Sequence, residues 1–465
     1  MFSIPNPRRG RGVTFIRCVL LGVLIGLVGC RSYRAEPLDP MEVAERLVER
    51  SRAAFVSERA GGEWFPLAAE VDVRDGLSLS EANTLALVFH PDVRHARHRA
   101  VQAGANRVQA GLLANPTVFA AHRWSLSSSN SISPITLSWR LPWFGQRAAK
   151  IERAEALVEE ARLELVEAEL HALVEVRKQA ITIVQLEREL DELRSVRESS
   201  ERVIEWVTRL ESAQEIDAVT SWLSRAGEEE MHEHEIEKRR QLAFAKQALF
   251  AQVGLLPTAD VEPDLAEDVV QLPALPESSL SALRDHPHLQ RAEAEYRRAE
   301  AQLRLAVSKQ YPQLQIGPDF EEDNGQSFLG PGVQLSLPIF NRNQGGIAAA
   351  EEARDAARDH YRGVLLELAH REARARTSAD THFRILQLHS QERAKRVARA
   401  RDALESRLRL GVANVAEIVE AQRSLAHARL HDFELEAEYA HAVLDAAAAG
   451  GIALVPPIAE SEEGE

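Results

Sequence analysis

Polar and apolar residues alternate in four short stretches of this chain, and long runs without such alternation fill most of the rest. Val118, Ala120, His122 and Trp124 share one face of the first stretch; Ile135, Leu137, Trp139 and Leu141 share one face of the second. Leu314, Ile316 and Phe320, and then Val333, Leu335 and Leu337, repeat the arrangement further on. A period of two marks a half-buried strand. The spacing therefore predicts two β-hairpins, 117–141 and 313–337, each with one apolar face. Serine-rich Ser125 to Pro134 is the expected turn of the first, and Asp323-Asn324-Gly325 lies in that of the second.

Between the hairpins the pattern is helical. Ser78 followed by Glu81 is a capping-box start, for a helix running to about Ala114 with a break at His90-Pro91. No proline occurs from Trp143 to Leu256, which predicts a helix from about Gln146 to Arg209 and, after a polar break at Glu211 to Asp217, a shorter one to Val253. Pro276 to Gln310, Asn343 to about Leu408, and a stretch ending at Ala449 read as helix as well, with Gly411-Val412-Ala413-Asn414 as the last turn. Leu157, Leu163, Val166, Leu170 and Leu173-Val174 make a narrow apolar stripe on a charged background, which suits side-by-side helix packing with one solvated face.

The two halves of this order are related. Leu337, Pro338 and Phe340 stand 196 positions after Leu141, Pro142 and Phe144, and the same offset joins His286-Pro287 to His90-Pro91. The chain reads as a tandem duplication of one supersecondary unit: a first repeat over 77–253, a proline-rich surface linker over 254–276, and a second repeat over 277–450. The expected fold is mainly α with a small β part, built from two helix–hairpin–long helix–helix units. Four strands cannot close a barrel, and open edges are not tolerated in lipid. The hairpins must then assemble across several copies of the chain or stay out of a membrane.

Composition narrows the function classes. Aromatics are only 5%, as in a long helical protein, and a net charge of −15 argues against nucleic acid as a partner. Residues 1–29 carry Arg8, Arg9, Arg11 and Arg17 ahead of an apolar run from Cys18 to Val28, the layout of a signal peptide. The run closes on Leu27-Val28-Gly29-Cys30, which resembles the bacterial lipobox. That resemblance implies lipidation of Cys30; an ordinary signal peptide with an incidental cysteine is the alternative. On the first reading 30–76 is a lipidated tether holding a short helix near Met41 to Glu58, and the mature chain keeps no free thiol. The tail 451–465 is acidic and expected to be disordered.

The two Leu-Pro-x-Phe joints (Pro142 and Phe144; Pro338 and Phe340), with Asn341-Arg342-Asn343-Gln344-Gly345 and Leu410 to Asn414 leading into Glu417 and Glu420, resemble the TolC-type outer membrane efflux channels, closest to their heavy-metal and resistance–nodulation–division branch. The resemblance implies a homotrimer whose hairpins form a twelve-stranded β-barrel on an α-helical barrel. It also implies an outer membrane location, a periplasmic membrane-fusion adaptor and an inner-membrane pump as partners. Glu417 and Glu420 match the acidic constriction at the periplasmic tip, against the plain alternative of solvated surface glutamates. Gly411, Val412, Ala413 and Asn414 would be the docking turn, with Glu215 and Asp217 at the corresponding tip of the first repeat, where Glu211 replaces the turn glycine.

Other chemistry is thin. His232 and His234 are two apart and point away from each other on a helix, while His95 and His98 share a face without a third ligand. No phosphate loop, nucleophile elbow or zinc-protease helix appears, so neither an enzyme nor a cofactor is expected. Two alternatives to the channel stay open: a non-conducting structural lipoprotein, because Asp319, Glu321, Glu322 and Asp323 crowd the second hairpin, and a periplasmic adaptor, which would lack the duplication.

Overall fold

The computed structural model describes residues 32–50, 54–56, 70–127, 130–216, 218–270, 282–323, 325–389 and 415–451, with a few isolated positions between 395 and 406. The signal peptide, Cys30, Asp217, the Gly411–Asn414 turn and the acidic tail beyond Gly451 lie outside them, as does the side chain of Glu417. Residues up to Val48 form one unit and Glu49 onward another. The first contains most of helix α1 (Pro40–Arg50), whose start is capped by the Asp39 carboxylate on the Met41 and Glu42 amides. The predicted continuation to Glu58 is wrong: Ala54–Val56 is a strand (β1) paired antiparallel with Glu70–Asp72 (β2).

In the larger unit, α2 (Leu79–Phe89) starts at the expected capping box. The Ser78 hydroxyl accepts from the Glu81 amide, and the Glu81 carboxylate accepts from the Ser78 amide. Then follow α3 (Pro91–Gly111), strands β3 (Thr117–Ala120), β4 (Arg123–Trp124) and β5 (Ser131–Leu141), and helices α4 (Gln146–Ser212) and α5 (Ala218–Gln252). The order resumes with α6 (Pro287–Ser308), β6 (Leu314–Asp323), β7 (Gln326–Leu335), α7 (Gln344–His389) and α8 (Val415–Ala449). At about 1.5 Å per residue, the 67 residues of α4 run ~100 Å.

Both His-Pro sequences make the same joint. In each, proline opens a helix and the preceding imidazole caps it, His90 accepting from the Asp92 amide and His286 from the His288 amide. The other ring nitrogen reaches the end of a helix 162 residues downstream: His90 Nε2 lies 2.9 Å from Gln252 Oε1, and His286 Nε2 donates to the Ala448 carbonyl at 3.1 Å. The helix predicted from Pro276 is thereby corrected. Ala282–Asp285 is a 3-10 turn, and the α-helix begins at Pro287.

Helix α4 is the axis of packing, touching α2 at one stretch and α3, α5, α6 and α8. Leu163, Val166 and Leu173 of the predicted stripe are buried, joined by Ala154, Ala161, Ala172 and Ala180, whose small side chains admit the neighbouring helices. Five helical partners leave a narrower solvated face than expected, kept at positions such as Lys150, Arg153, Arg162 and His171. The main core gathers Val176, Ile183 and Leu186 of α4 with Leu85 of α2, Leu249 and Phe250 of α5, and Leu255 and Val261 beyond it. The predicted surface linker is thus partly core. Its residues cover α4, and Val269 packs against Ile181 and Leu444.

Ion pairs tie α4 to its neighbours: Glu155–Arg107 and Glu164–Arg99 to α3, Glu160–Arg298 and Glu152–Arg304 to α6, Arg188–Glu436 and Glu192–Arg429 to α8. Exposed pairs contribute only about 0–1 kcal/mol each. Glu189 differs because it is fully buried, held by Lys238 at 2.7 Å and by the Gln185 amide at 2.8 Å. Burial pushes the Glu167 carboxyl up, but hydrogen bonds from His288 and Arg291 outweigh it and hold it at about 2.

Removing Lys238 alone leaves a buried, unpaired carboxylate. Lys238→Met should destabilise the fold by ~3–5 kcal/mol, and Lys238→Met with Glu189→Leu should recover most of it, as read from urea unfolding midpoints. Burial lowers the pKa of His286 below its ordinary 6.5, and that of His441 likewise. Neutral imidazole therefore contributes stability that is present above pH 6.5 and lost as the pH falls through the lowered value. Thermal unfolding should shift down between pH 7 and pH ~5, and less so in His286→Gln.

Candidate functional site

The sheet is antiparallel, in the order β3-β5-β6-β7, with β4 adding to β5 beside β3. Its register sorts the side chains. Ala120, Ile135, Phe320 and Leu329 form one cross-strand row; Val118 with Leu137, Pro318 with Pro331, then Trp139, Ile316 and Val333, then Leu141, Leu314 and Leu335, continue the same face. Four rows in succession are apolar across every strand they cross. The opposite face is mainly polar, carrying Thr117, Thr136, Ser138, Arg140, Gln315, Asp319, Glu321, Asp323 and Gln334, with Phe119, Ile132, Pro134 and Phe328 among them. Thr136 donates its hydroxyl to Asp319 there.

The carboxylates that made the second hairpin look too polar are thus segregated. Asp319, Glu321 and Asp323 all lie on the polar face, and only Glu322 falls on the apolar one, in an outer row with Ser133 and Ser327. His122 joins that row through Ser133 Oγ at 2.8 Å. Aromatic residues flank the apolar rows: Trp124 at the far end, and Trp139, Trp143, Phe144 and Tyr311 at the helical end, with Phe144 stacked on Tyr311 at 4.5 Å. From Ser131 to Leu141 a strand rises roughly 33 Å along its axis, or ~25 Å at the ~40° tilt of membrane strands.

Some strands run further into the turns than the alternation predicted, while the first is broken between Ala120 and Arg123 and β7 stops at Leu335, short of Leu337. β5 takes in half of the supposed serine turn and includes Pro134, and β6 runs on through Asp323. Gly317 lies where a Cβ would stand 1.7 Å from the Leu137 carbonyl oxygen, so β6 passes β5 too closely there for any other residue. The joints to the helices are irregular rather than direct. Pro142 leads to Phe144 (φ 53) and Gly145 (φ 72) before α4. Pro338 and Phe340 lead to Asn343 (φ 57), which hydrogen-bonds the Ala306 carbonyl before α7. The two phenylalanines are not equivalent: Phe144 is stacked, whereas Phe340 is 92% exposed.

At the other end of the helices the first tip turns at Gln214, a non-glycine residue with φ 59. Glu211, assigned from sequence to the turn, is still helical, and its carboxylate accepts from the Ser221 hydroxyl at 2.7 Å and from Arg225 at 3.0 Å. Sequence reasoning missed this clamp between α4 and α5, which no spacing rule announces across a turn. Glu215 is exposed at the bend. Glu420 is exposed on α8 and pairs with Arg423, which also reaches Glu230 of α5. Glu417 lies in the same helix.

Residues 279–451 match the family profile described as Outer membrane efflux protein. The cobalt-zinc-cadmium resistance protein CzcC of Cupriavidus metallidurans is 28% identical over 201 residues, 42% of this chain and 47% of CzcC, so the match spans about half the length of that curated relative. CusC, described in terms of folding and transmembrane channel formation, superposes with a TM-score of 0.70 at 16% identity, over 80% of this chain and 92% of CusC. The open state of the Neisseria gonorrhoeae MtrE outer membrane channel gives 0.69 at 16% identity, over 91% and 99%. The Campylobacter jejuni CmeC outer membrane channel gives 0.67 at 14%, over 90% and 94%.

The fold is that of these solved outer membrane channels, and residues 279–451 are similar to the outer membrane efflux proteins.

No helix among the described residues is long and apolar enough to cross a membrane. Also among the described residues, no cluster of His, Cys, Asp or Glu could hold a metal ion; His234 faces His427 at 5.8 Å without further ligands.

The sorting of faces is directly testable. On a bilayer-facing sheet, Phe320→Arg on the apolar face should lower the fraction of chain recovered folded in membranes, reflecting a cost of ~2–4 kcal/mol at mid-depth. Gln315→Arg on the polar face should leave that fraction near wild type.

Proposed function

We propose that this protein is the outer membrane exit channel of a tripartite efflux system, passively conducting metal ions or small toxic compounds to the exterior. The observation that carries this reading is the sheet with a continuous apolar face over all four strands, a polar opposite face and two free edges. Such a sheet is soluble in a bilayer only when its edges are paired. Pairing β7 of one copy with β3 and β4 of the next closes three copies into a twelve-stranded barrel, apolar outside and acidic within. The repeated His-Pro joints support an origin by tandem duplication, with repeats over 77–253 and 277–450.

Lipidation at Cys30 would anchor the chain in the outer membrane, with the helices extending into the periplasm as an α-helical barrel. A membrane-fusion adaptor would dock at the tips (Gly411 to Asn414, Glu215 and Asp217), and a resistance–nodulation–division pump in the inner membrane would supply the energy. CzcC is named for cobalt, zinc and cadmium resistance, and the solved relatives are described as channels; these names favour efflux over an enzymatic role. The structural-lipoprotein alternative rested on the acidic hairpin, and three of its four carboxylates lie on the polar face.

Three copies of Glu417 and Glu420 would make two carboxylate rings favouring cations at the periplasmic tip. Purified, lipidated protein should be trimeric by mass and show discrete single-channel conductance in planar bilayers. Glu417→Gln with Glu420→Gln should reduce cation selectivity. A trimer that never conducts, even with Arg423→Ala loosening the tip, would instead support a stalk.

A further inference from the structure

We propose that the chain binds a phospholipid of the inner leaflet of its membrane, acyl chains in a groove at the helical end of the sheet and phosphate on Arg147. The inference rests on the reading of the sheet as membrane-facing. The groove encloses about 580 Å3 and is lined by Leu113, Pro116, Leu137, Trp139, Ile316 and Pro318, among others. That volume lies within the roughly 300–1,000 Å3 usual for small-molecule sites.

The groove exists because two neighbours separate early. β3 pairs with β5 only as far as Ser138, so Trp139 to Leu141 have no strand on that side. The incoming chain, leaving α3 at Gly111, instead crosses beside Trp139, whose indole N–H donates to the Ala114 carbonyl at 2.9 Å. Leu137, Trp139, Ile316 and Pro318 all belong to the apolar face, so the groove opens onto the surface that meets hydrocarbon. It sits at the aromatic, helical end of the apolar rows, the level at which headgroups lie.

A cation marks the same level. Arg147, at the start of α4, is exposed and gives Nε and Nη2 to the Gly111 carbonyl at 3.1 and 2.8 Å. Gly111 is two residues from Leu113 in the groove wall, within roughly 7 Å along the chain. Among the described residues the remaining N–H groups of this guanidinium have no acceptor, and its fork suits a phosphate diester. This charge complementarity selects a phospholipid over the acyl anchor at Cys30, which carries no anion. A second copy would pair along the edge of β3 and β4 and brings no phosphate to Arg147.

The test is native mass spectrometry of the full-length protein in mild detergent, after incubation with dioleoyl phosphatidylglycerol or with dioleoylglycerol, which lacks the phosphate. The expected result is one phosphatidylglycerol retained per chain, little dioleoylglycerol, and the same retention in Cys30→Ser. Arg147→Gln should lower retention roughly tenfold, the size of one charge-assisted hydrogen bond. Ala114→Phe, which fills the groove while keeping the carbonyl, should lower it similarly and guards against misfolding of the arginine variant. No retention by wild type, wild-type retention in both variants, equal retention of dioleoylglycerol, or retention only in Cys30→Ser would each overturn the proposal. Conductance of the same preparations separates the two readings: a conducting channel without bound lipid sinks the groove alone, whereas failure to insert sinks the membrane reading.

Discussion

In hydrocarbon, every backbone N–H and C=O must find a partner within the protein, and a sheet with unpaired edges cannot satisfy that rule. The sheet of this chain is four strands wide, β3 and β4 sharing one edge position beside β5, and ends there on one side and at β7 on the other. On the channel reading proposed above, much of the architecture answers that constraint. The apolar rows lie on one face, the carboxylates are sorted to the other, and the flanking aromatic residues have their rings at the margins of the apolar rows. The chain carries half of the edge solution in its own register, because β5 and β6, far apart in sequence, already pair along nearly their full lengths.

The helices solve a different problem, which is to keep a rod ~100 Å long aligned with its neighbours at once. Apolar residues alone would make such a rod sticky on every side. Alanines at the contacts let the axes approach, and charged residues between them give each neighbour its own set of partners along α4: Arg99 and Arg107 from α3, Arg298 and Arg304 from α6, Glu436 and Arg429 from α8. Individually these pairs are weak. Buried Glu189 is the exception, since its carboxylate is costly without Lys238.

The ends of the rod show how a local rule can mislead. A glycine missing from the expected turn suggested a degraded tip, yet Gln214 adopts the left-handed conformation that glycine would supply. Glu211 holds the two helices together through Ser221 and Arg225. Backbone strain at one residue is offset by side-chain bonds at another, and the offset is visible only once the two helices are set side by side.

The sequence by itself determined the elements and their order. Alternation located the strands, the proline-free runs located the helices, and Ser78 with Glu81 and the two His-Pro pairs fixed where helices begin, because caps and prolines act on the few residues next to them. Its errors were errors of extent: a helix carried past Arg50, strands cut short at Pro134 and Asp323, a linker assigned to the surface that in fact covers α4. Only the tertiary structure decided which face each carboxylate of the second hairpin takes, since that depends on a register between β5 and β6 across a long stretch of chain. It also decided that Glu189 is buried, that Phe144 stacks and Phe340 does not, and that a groove opens beside Trp139. Each of these depends on which distant segment arrives as a neighbour, and local periodicity holds no information about that.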